Sequence, residues 1–236
     1  MTDETLPTYQ LDDGIAVVTL DDGKANAFST ATLVTLESLL DQAEADGARA
    51  LVLVGRPGKF SAGFALDEMT GDVTAMRALV VRGARFWLRL YGLGMPTVAA
   101  CTGHALAGGA LTLLSCDRRI TADAPAKIGL TEVAIGLTLP KFAYALAEDR
   151  LHRPALAAAT IGAQVYDPAG ALEVGYVDQV VPADDLLATA VAEAARLGQL
   201  DTAAYSATKR NARADLIARE LARVVEDMES LELPKL

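Results

Sequence analysis

The sequence predicts an α/β fold, and three observations carry that expectation. Short β-branched apolar runs alternate with amphipathic helical patterns from Ile15 to Thr121, which fits strands layered against helices rather than a bundle or a sandwich. The run Arg49–Val54 is apolar almost throughout, as in strands covered on both faces. Hydrophobic residues make up 52% of the 236 residues and charged residues 22%. That is ample material for a packed core and excludes intrinsic disorder.

Each element has a local reason. Ile15–Leu20 is a β-branched run that stops at Asp21-Asp22-Gly23, a turn signal. Ser29 then precedes a helix with Leu33, Leu36, Leu39, Leu40 and Ala43 on one side, and its hydroxyl suits a free N–H of the first turn. The second strand, Arg49–Val54, ends at Gly55-Arg56-Pro57-Gly58. A long amphipathic stretch from Val73 to Leu93 reads as a helix, closed by Pro96. Thr97–Cys101 reads as a third strand, Ala107–Ser115 as a short buried helix and Arg118–Thr121 as a fourth strand. Beyond residue 140 the pattern is mainly helical, with a brief strand near Val177–Val181. These readings divide the chain into a core, residues 1–184, and a helical region, residues 185–236, suited to packing or oligomerisation.

Composition bounds the function. Lys and Arg number 21 against 31 Asp and Glu, a net charge of −10. Such a surface repels phosphate backbones and anionic membranes, so no nucleic-acid partner is expected. Between Arg89 and Asp117 there is no ionisable Asp, Glu, Lys or Arg, yet Gly92, Gly94, Pro96, Gly103, Gly108 and Gly109 punctuate the stretch. It reads as buried core, not a membrane span. The acidic start Met1-Thr2-Asp3-Glu4 lacks the layout of a signal peptide. Cys101 and Cys116 read as buried hydrophobes. The expectation is a soluble, cytoplasmic protein.

Several chemistries fail on spacing. His104 and His152 lie far from any Cys/His cluster, so no metal site is expected, and His104 reads as a hydrogen-bonded structural residue. Gly103-His104-Ala105-Leu106-Ala107-Gly108-Gly109 lacks the Gly-Lys-Ser/Thr ending of a phosphate loop. Ser61 has Lys59 where a nucleophile elbow needs glycine.

Two glycine-bearing turns survive. Phe60–Phe64 is expected to follow the strand Arg49–Val54, and Gly103–Gly109 the strand Thr97–Cys101; each enters a helix whose first N–H groups lack intrahelical partners. Facing each other, they would present the paired donors of an oxyanion hole; packed otherwise, they are ordinary strand-to-helix turns. Glu132 is a lone carboxylate in the uncharged segment Ile128–Pro140. Composition alone favours a solvent-facing side chain over one kept buried for a purpose.

Together these blocks resemble the crotonase (enoyl-CoA hydratase/isomerase) superfamily. The likeness rests on Lys24-Ala25-Asn26-Ala27, Phe60-Ser61-Ala62-Gly63 through Asp67-Glu68-Met69, Gly103 through Asp117, Gly129 through Gly136, and Gly170 to Pro182. It implies a spiral of ββα turns that binds an acyl-coenzyme A thioester and assembles as a homotrimer or a dimer of trimers. Coenzyme A is then part of the substrate, and no separate cofactor is implied. The matching oxyanion positions are Phe64 and Gly108. Lys24, Ala25, Ala27, Ala62, Leu66 and Leu111 match acyl-CoA-binding positions, and Lys209 is a candidate for the phosphates.

Departures from the pattern point to the chemistry. Family hydratases carry two glutamates; here the first position is Leu111 and the second is Glu132. Leucine cannot orient water, whereas moving a double bond needs one base. Arg56–Gly63, Ile128–Glu132 and Val177–Pro182 look most like the mitochondrial-type Δ3,Δ2-enoyl-CoA isomerases, with Leu139–Tyr144 replacing a glycine-rich run. Ala65 departs from the aspartate often found after the oxyanion residue. The expected activity is single-glutamate isomerisation. The alternatives are a hydratase or other crotonase reaction using Asp67 or Glu68, and a non-catalytic acyl-CoA-binding protein.

Overall fold

The structure is a computed structural model that describes residues 5–234; the acidic start Met1–Glu4 and the last two residues, Lys235 and Leu236, lie outside it. Strands β1 (Thr8–Asp12), β2 (Ile15–Leu20), β3 (Ala50–Gly55), β5 (Thr97–Cys101), β7 (Arg118–Ala122) and β9 (Gln179–Val181) form one sheet in the order β1-β2-β3-β5-β7-β9. From β2 to β9 all pairings are parallel, and only β1 runs antiparallel, paired with β2. A second sheet of short parallel strands, β4 (Gly58–Ser61), β6 (Gly103–Leu106) and β8 (Ile128–Gly129), lies beside it.

The chain therefore climbs by repeated turns. Each of β3, β5 and β7 is followed by a partner in the smaller sheet and then by helical chain, the ββα spiral that the resemblance implies. After β4 come α2 (Leu66–Thr70) and α3 (Val73–Gly92). After β6 comes α4 (Gly108–Ser115), and after β8 a 3-10 turn (Val133–Ile135) and α5 (Lys141–Arg150).

The helices sit where capping and burial direct them. The Ser29 hydroxyl accepts from Thr32 N–H at 3.0 Å to start α1 (Thr30–Ala45), whose Leu33, Leu36, Leu40 and Ala43 are buried. Asp72 caps α3 by accepting from Thr74 and Ala75 N–H. One face of the large sheet joins α1, α3 and α4 in the main core around Trp87. The other face, with Val52, Val54, Val98 and Ile120, is covered by Leu186, Ala190 and Ala194 of α8 (Leu186–Leu197). That double cover explains why β3 is apolar throughout.

The structure corrects the expectation in two places. The two glycine-bearing turns do not follow β3 and β5 directly; β4 and β6 intervene. Arg56-Pro57 turns the chain from one sheet to the other. β1, with an exposed, mostly polar pattern, gave no apolar run to read.

The last long helix, α9 (Thr202–Glu229), crosses α3 and α5. Its anchor is Asp117, between α4 and β7, which accepts from Lys209 Nζ at 2.8 Å, Arg213 Nη1 at 2.7 Å and Tyr205 Oη at 2.9 Å. The two cations hold the Asp117 carboxyl below its ordinary range despite its burial. Lys209, a sequence candidate for binding phosphate, is thus buried and committed to this internal pair. Among the described residues no helix is long and apolar enough to cross a membrane.

Candidate active site

The site is built where β4 and β6 end. The two strands pair parallel through Gly58↔Gly103, Lys59↔His104 and Ser61↔Ala105, with a register shift between Lys59 and Ser61. Gly103 permits this approach, since a Cβ there would overlap the Gly58 backbone. Both strands then release the chain on the same side. A Cβ placed on Gly63 would fall 3.3 Å from Gly108 N, so the two turns face each other closely.

Each turn leaves one donor free. Gly63 has φ +93°, and its N–H donates to the Ser61 hydroxyl at 3.1 Å. Phe28 brackets the next residue: its N–H donates to Gly63 O at 2.8 Å, and its carbonyl accepts from Ala65 N–H at 3.1 Å. Among the described residues, the Phe64 N–H between them has no protein acceptor. In the second turn, Ala107 N–H donates to Gly129 O at 3.0 Å and Ala107 takes φ 49°, ψ −114° as it enters α4. Gly108 N–H likewise has no protein acceptor among the described residues. Gly108 rests against Trp87, whose indole N–H donates to Thr112 Oγ1 at 2.9 Å. Two unpaired N–H groups on converging turns suit a carbonyl oxygen that gains charge.

Glu132 completes the site, and it is buried rather than solvent-facing. It follows β8 and enters the 3-10 turn, whose backbone loops back through Ile135 and Leu137 N–H to Glu132 O. The residue is 9% exposed, and Oε2 has no hydrogen-bond partner. Burial pushes its pKa from 4.5 to about 7, outweighing the Glu132 and Thr131 backbone N–H groups that act the other way. Tyr176 supports the approach to it, its hydroxyl accepting from Leu130 N–H at 3.3 Å.

A cavity of about 290 Å³ brings together Ala62, Phe64, Leu66, Leu111 and Glu132. Among the described residues, Glu132 is the only ionisable side chain lining it. Leu111 stands in its wall as an apolar surface. Gly108 is not among the lining residues, although its chain neighbour Ala107 is. Lys24, Ala25 and Ala27 lie outside the lining, on a neighbouring loop tied to it by Ala62 N–H donating to Ala25 O at 3.0 Å. Asn26 in that loop has φ 52°, and its side-chain amide donates to Leu20 O and Lys59 O.

The alternative carboxylates stand elsewhere. Neither Asp67 nor Glu68 lines the cavity, and Glu68 accepts from Thr30 N–H at 2.9 Å and from its hydroxyl at 2.5 Å. His104 accepts from Lys127 N–H at 2.9 Å through Nδ1, a structural bond. Cys101 and Cys116 are buried free thiols. Sequence reasoning missed Met69, Val80, Phe142 and Leu231 as cavity walls. Their apolar character marks them as core, and nothing local marks them as lining.

Comparison with known proteins agrees with this fold. A family model described as enoyl-CoA hydratase/isomerase matches residues 10–232. The chain is 37% identical to human mitochondrial enoyl-CoA delta isomerase 1 over 201 residues, covering 83% of this chain and 66% of that protein. It spans 61–66% of the length of the human, mouse and rat mitochondrial isomerases. Among solved structures, an enoyl-CoA hydratase/isomerase family protein of Pseudomonas syringae superposes with a TM-score of 0.92 at 38% identity, covering 95% of this chain and 97% of the other. An enoyl-CoA hydratase of Mycobacterium ulcerans gives 0.90 at 33% identity, covering 95% and 98%. The crotonase spiral, the paired donor turns and a family match over nearly the whole chain lead to one conclusion: this chain belongs to the enoyl-CoA hydratase/isomerase family.

Proposed function

We propose that the protein is a Δ3,Δ2-enoyl-CoA isomerase in which Glu132 carries one proton from C2 to C4 of the acyl chain. The observation that supports this most is the solitary carboxylate. Glu132 is the lone ionisable group in the cavity wall among the described residues, with Leu111 contributing only apolar surface.

The chemistry follows from that inventory. A 3-enoyl thioester places its carbonyl oxygen between the Phe64 and Gly108 N–H groups. Glu132, ionised, removes a proton from C2, and the electron pair moves to the carbonyl oxygen to give a dienolate. The two N–H groups hold that growing charge more strongly than the neutral carbonyl, so they lower the barrier rather than merely binding substrate. The protonated Glu132 then delivers the proton to C4, and the electrons return to form the C2=C3 bond. Hydrogen count and charge are unchanged, and no water or co-reactant enters. A carboxyl with a pKa about 7 suits both halves, since it accepts and releases the proton near neutrality.

Hydration makes a different demand. Water must be oriented and deprotonated while a proton reaches the α-carbon, and Leu111 can share none of that work. Purified protein mixed with a 3-enoyl-CoA tests the reading, with formation of the conjugated 2-enoyl thioester followed beside Glu132→Gln. Turnover that disappears in the variant supports isomerisation. Hydration of a 2-enoyl-CoA at a comparable rate points to the hydratase alternative, and acyl-CoA binding without any turnover points to a non-catalytic binder.

A further inference from the structure

One wall of the cavity belongs neither to the sheets nor to the helices around it. Leu231 and Pro234, in the segment that follows α9, line it together with Met69, Val80 and Phe142. Leu231 is buried, and both of its backbone polar groups are held. Its N–H donates to Met228 O at 3.0 Å, and its carbonyl accepts from Arg77 Nε at 2.9 Å. Arg77 belongs to α3, the same helix that presents Val80 to the cavity. The Arg77 side chain therefore ties the tail segment to a helix that also lines the cavity.

The enclosed space is small. At about 290 Å³ it sits at the bottom of the roughly 300–1,000 Å³ range of small-molecule sites, too small for an acyl chain and its coenzyme together. Leu66, 60% exposed, marks an open side of the cavity. Val80, Phe142 and Leu231 are buried walls, the dry surface offered to an acyl chain whose thioester lies between the two donor turns.

We infer that the latched tail is the floor of the acyl site, and that the Arg77–Leu231 contact makes the enzyme selective for short acyl chains. The inference rests on the acyl-CoA reading above. Arg77 acts through Leu231 and is a specificity-determining positioning residue; it touches no reacting atom. With the floor closed, methylenes beyond the cavity's depth find no dry surface. With it open, each additional methylene lodged is worth about fourfold in affinity.

Calorimetric titration of the full chain with saturated hexanoyl-CoA and dodecanoyl-CoA tests this without needing turnover. Arg77→Met removes the donor while retaining the apolar stem, and Leu231→Ala opens the floor directly. The wild type is expected to bind hexanoyl-CoA at least as tightly as dodecanoyl-CoA. Both variants are expected to raise the dodecanoyl-to-hexanoyl affinity ratio by about tenfold or more, the value of two lodged methylenes. A purely structural role for Arg77 would weaken both ligands alike and leave the ratio unmoved. An unchanged ratio in both variants overturns the inference, as does a wild type that already prefers dodecanoyl-CoA tenfold. Failure of the wild type to bind either thioester is a distinct result: it overturns the acyl-CoA reading and this inference with it.

Discussion

Replacing Glu132 by Gln should make the protein more stable at alkaline pH while removing its proposed base. Burial raises the carboxyl from 4.5 to about 7, so the folded chain holds that proton more tightly than the unfolded chain. The sign follows from linkage: stability falls as pH rises from about 4.5 to about 7 and is level above, because the ionised group then sits in an apolar wall with Oε2 unpaired. At 1.36 kcal/mol per tenfold change in proton affinity, the cost of holding Glu132 ionised approaches about 3 kcal/mol by pH 8 and is under about 1 kcal/mol at pH 5. Glutamine carries no such cost. For a chain this long, about 2–4 °C accompanies each kcal/mol, so Glu132→Gln should melt roughly 6–12 °C above wild type at pH 8 and within a few degrees at pH 5. Thermal melts of both proteins across that range are the assay. A variant that melts below wild type at pH 8, or a difference independent of pH, would refute the claim that Glu132 is desolvated.

Two further predictions concern the same site and a third the anchor of α9. In a pH–rate profile, kcat/KM should fall about tenfold per pH unit below about pH 7, because Glu132 must be ionised to take the C2 proton; a flat profile down to pH 5 would remove Glu132 from that role. Gly63→Ala forces a side chain into φ +93° and within 2.9 Å of the Ala107 Cβ, so it should disturb the donor turns and lower kcat by about 10²–10³-fold, the usual cost of an oxyanion donor. Wild-type kcat in that variant would show that the two turns do not act on the substrate. Asp117→Asn leaves the buried Lys209 and Arg213 without their counter-charge and should cost about 3–5 kcal/mol in denaturant unfolding at pH 7. Because the Asp117 carboxyl lies below its ordinary range, that contribution is present above the unfolded pKa near 4 and is lost as pH falls through the folded value. The variant and wild type should therefore converge in acid.

What the sequence disclosed, and what it withheld, divides along physical lines. β2 and β3 were legible because a buried strand must be apolar on the faces it presents, and α1 because Ser29 caps it in the sequence itself. The two glycine-bearing turns were legible because small residues at strand-to-helix turns leave a local trace, whereas Phe64 and Gly108 within them were singled out by the family resemblance alone. β4 and β6 were not: each has four residues, including lysine and histidine, and they exist as strands because they pair with each other across some 45 residues. Glu132 shows the same limit. Its neighbours in sequence do not reveal its burial, since the cavity it shares is walled by Leu106, Leu111 and Phe142 from other elements. Lys209 is a candidate for the phosphates by resemblance, yet Asp117, 92 positions away, pairs with it in the interior. The tail wall at Leu231 depends on Arg77, 154 positions earlier, a contact with no local signature.

A single desolvated carboxyl that carries the proton both ways leaves an isotopic trace in the product. A 3-enoyl-CoA bearing deuterium at C2 is turned over in ordinary water, and the 2-enoyl product is analysed at early conversion. Because Glu132 sits in an apolar wall with an unpaired oxygen, its acquired deuteron exchanges slowly with solvent, and part of the label should appear at C4. Product with solvent hydrogen alone at C4 would contradict the single-carboxylate shuttle.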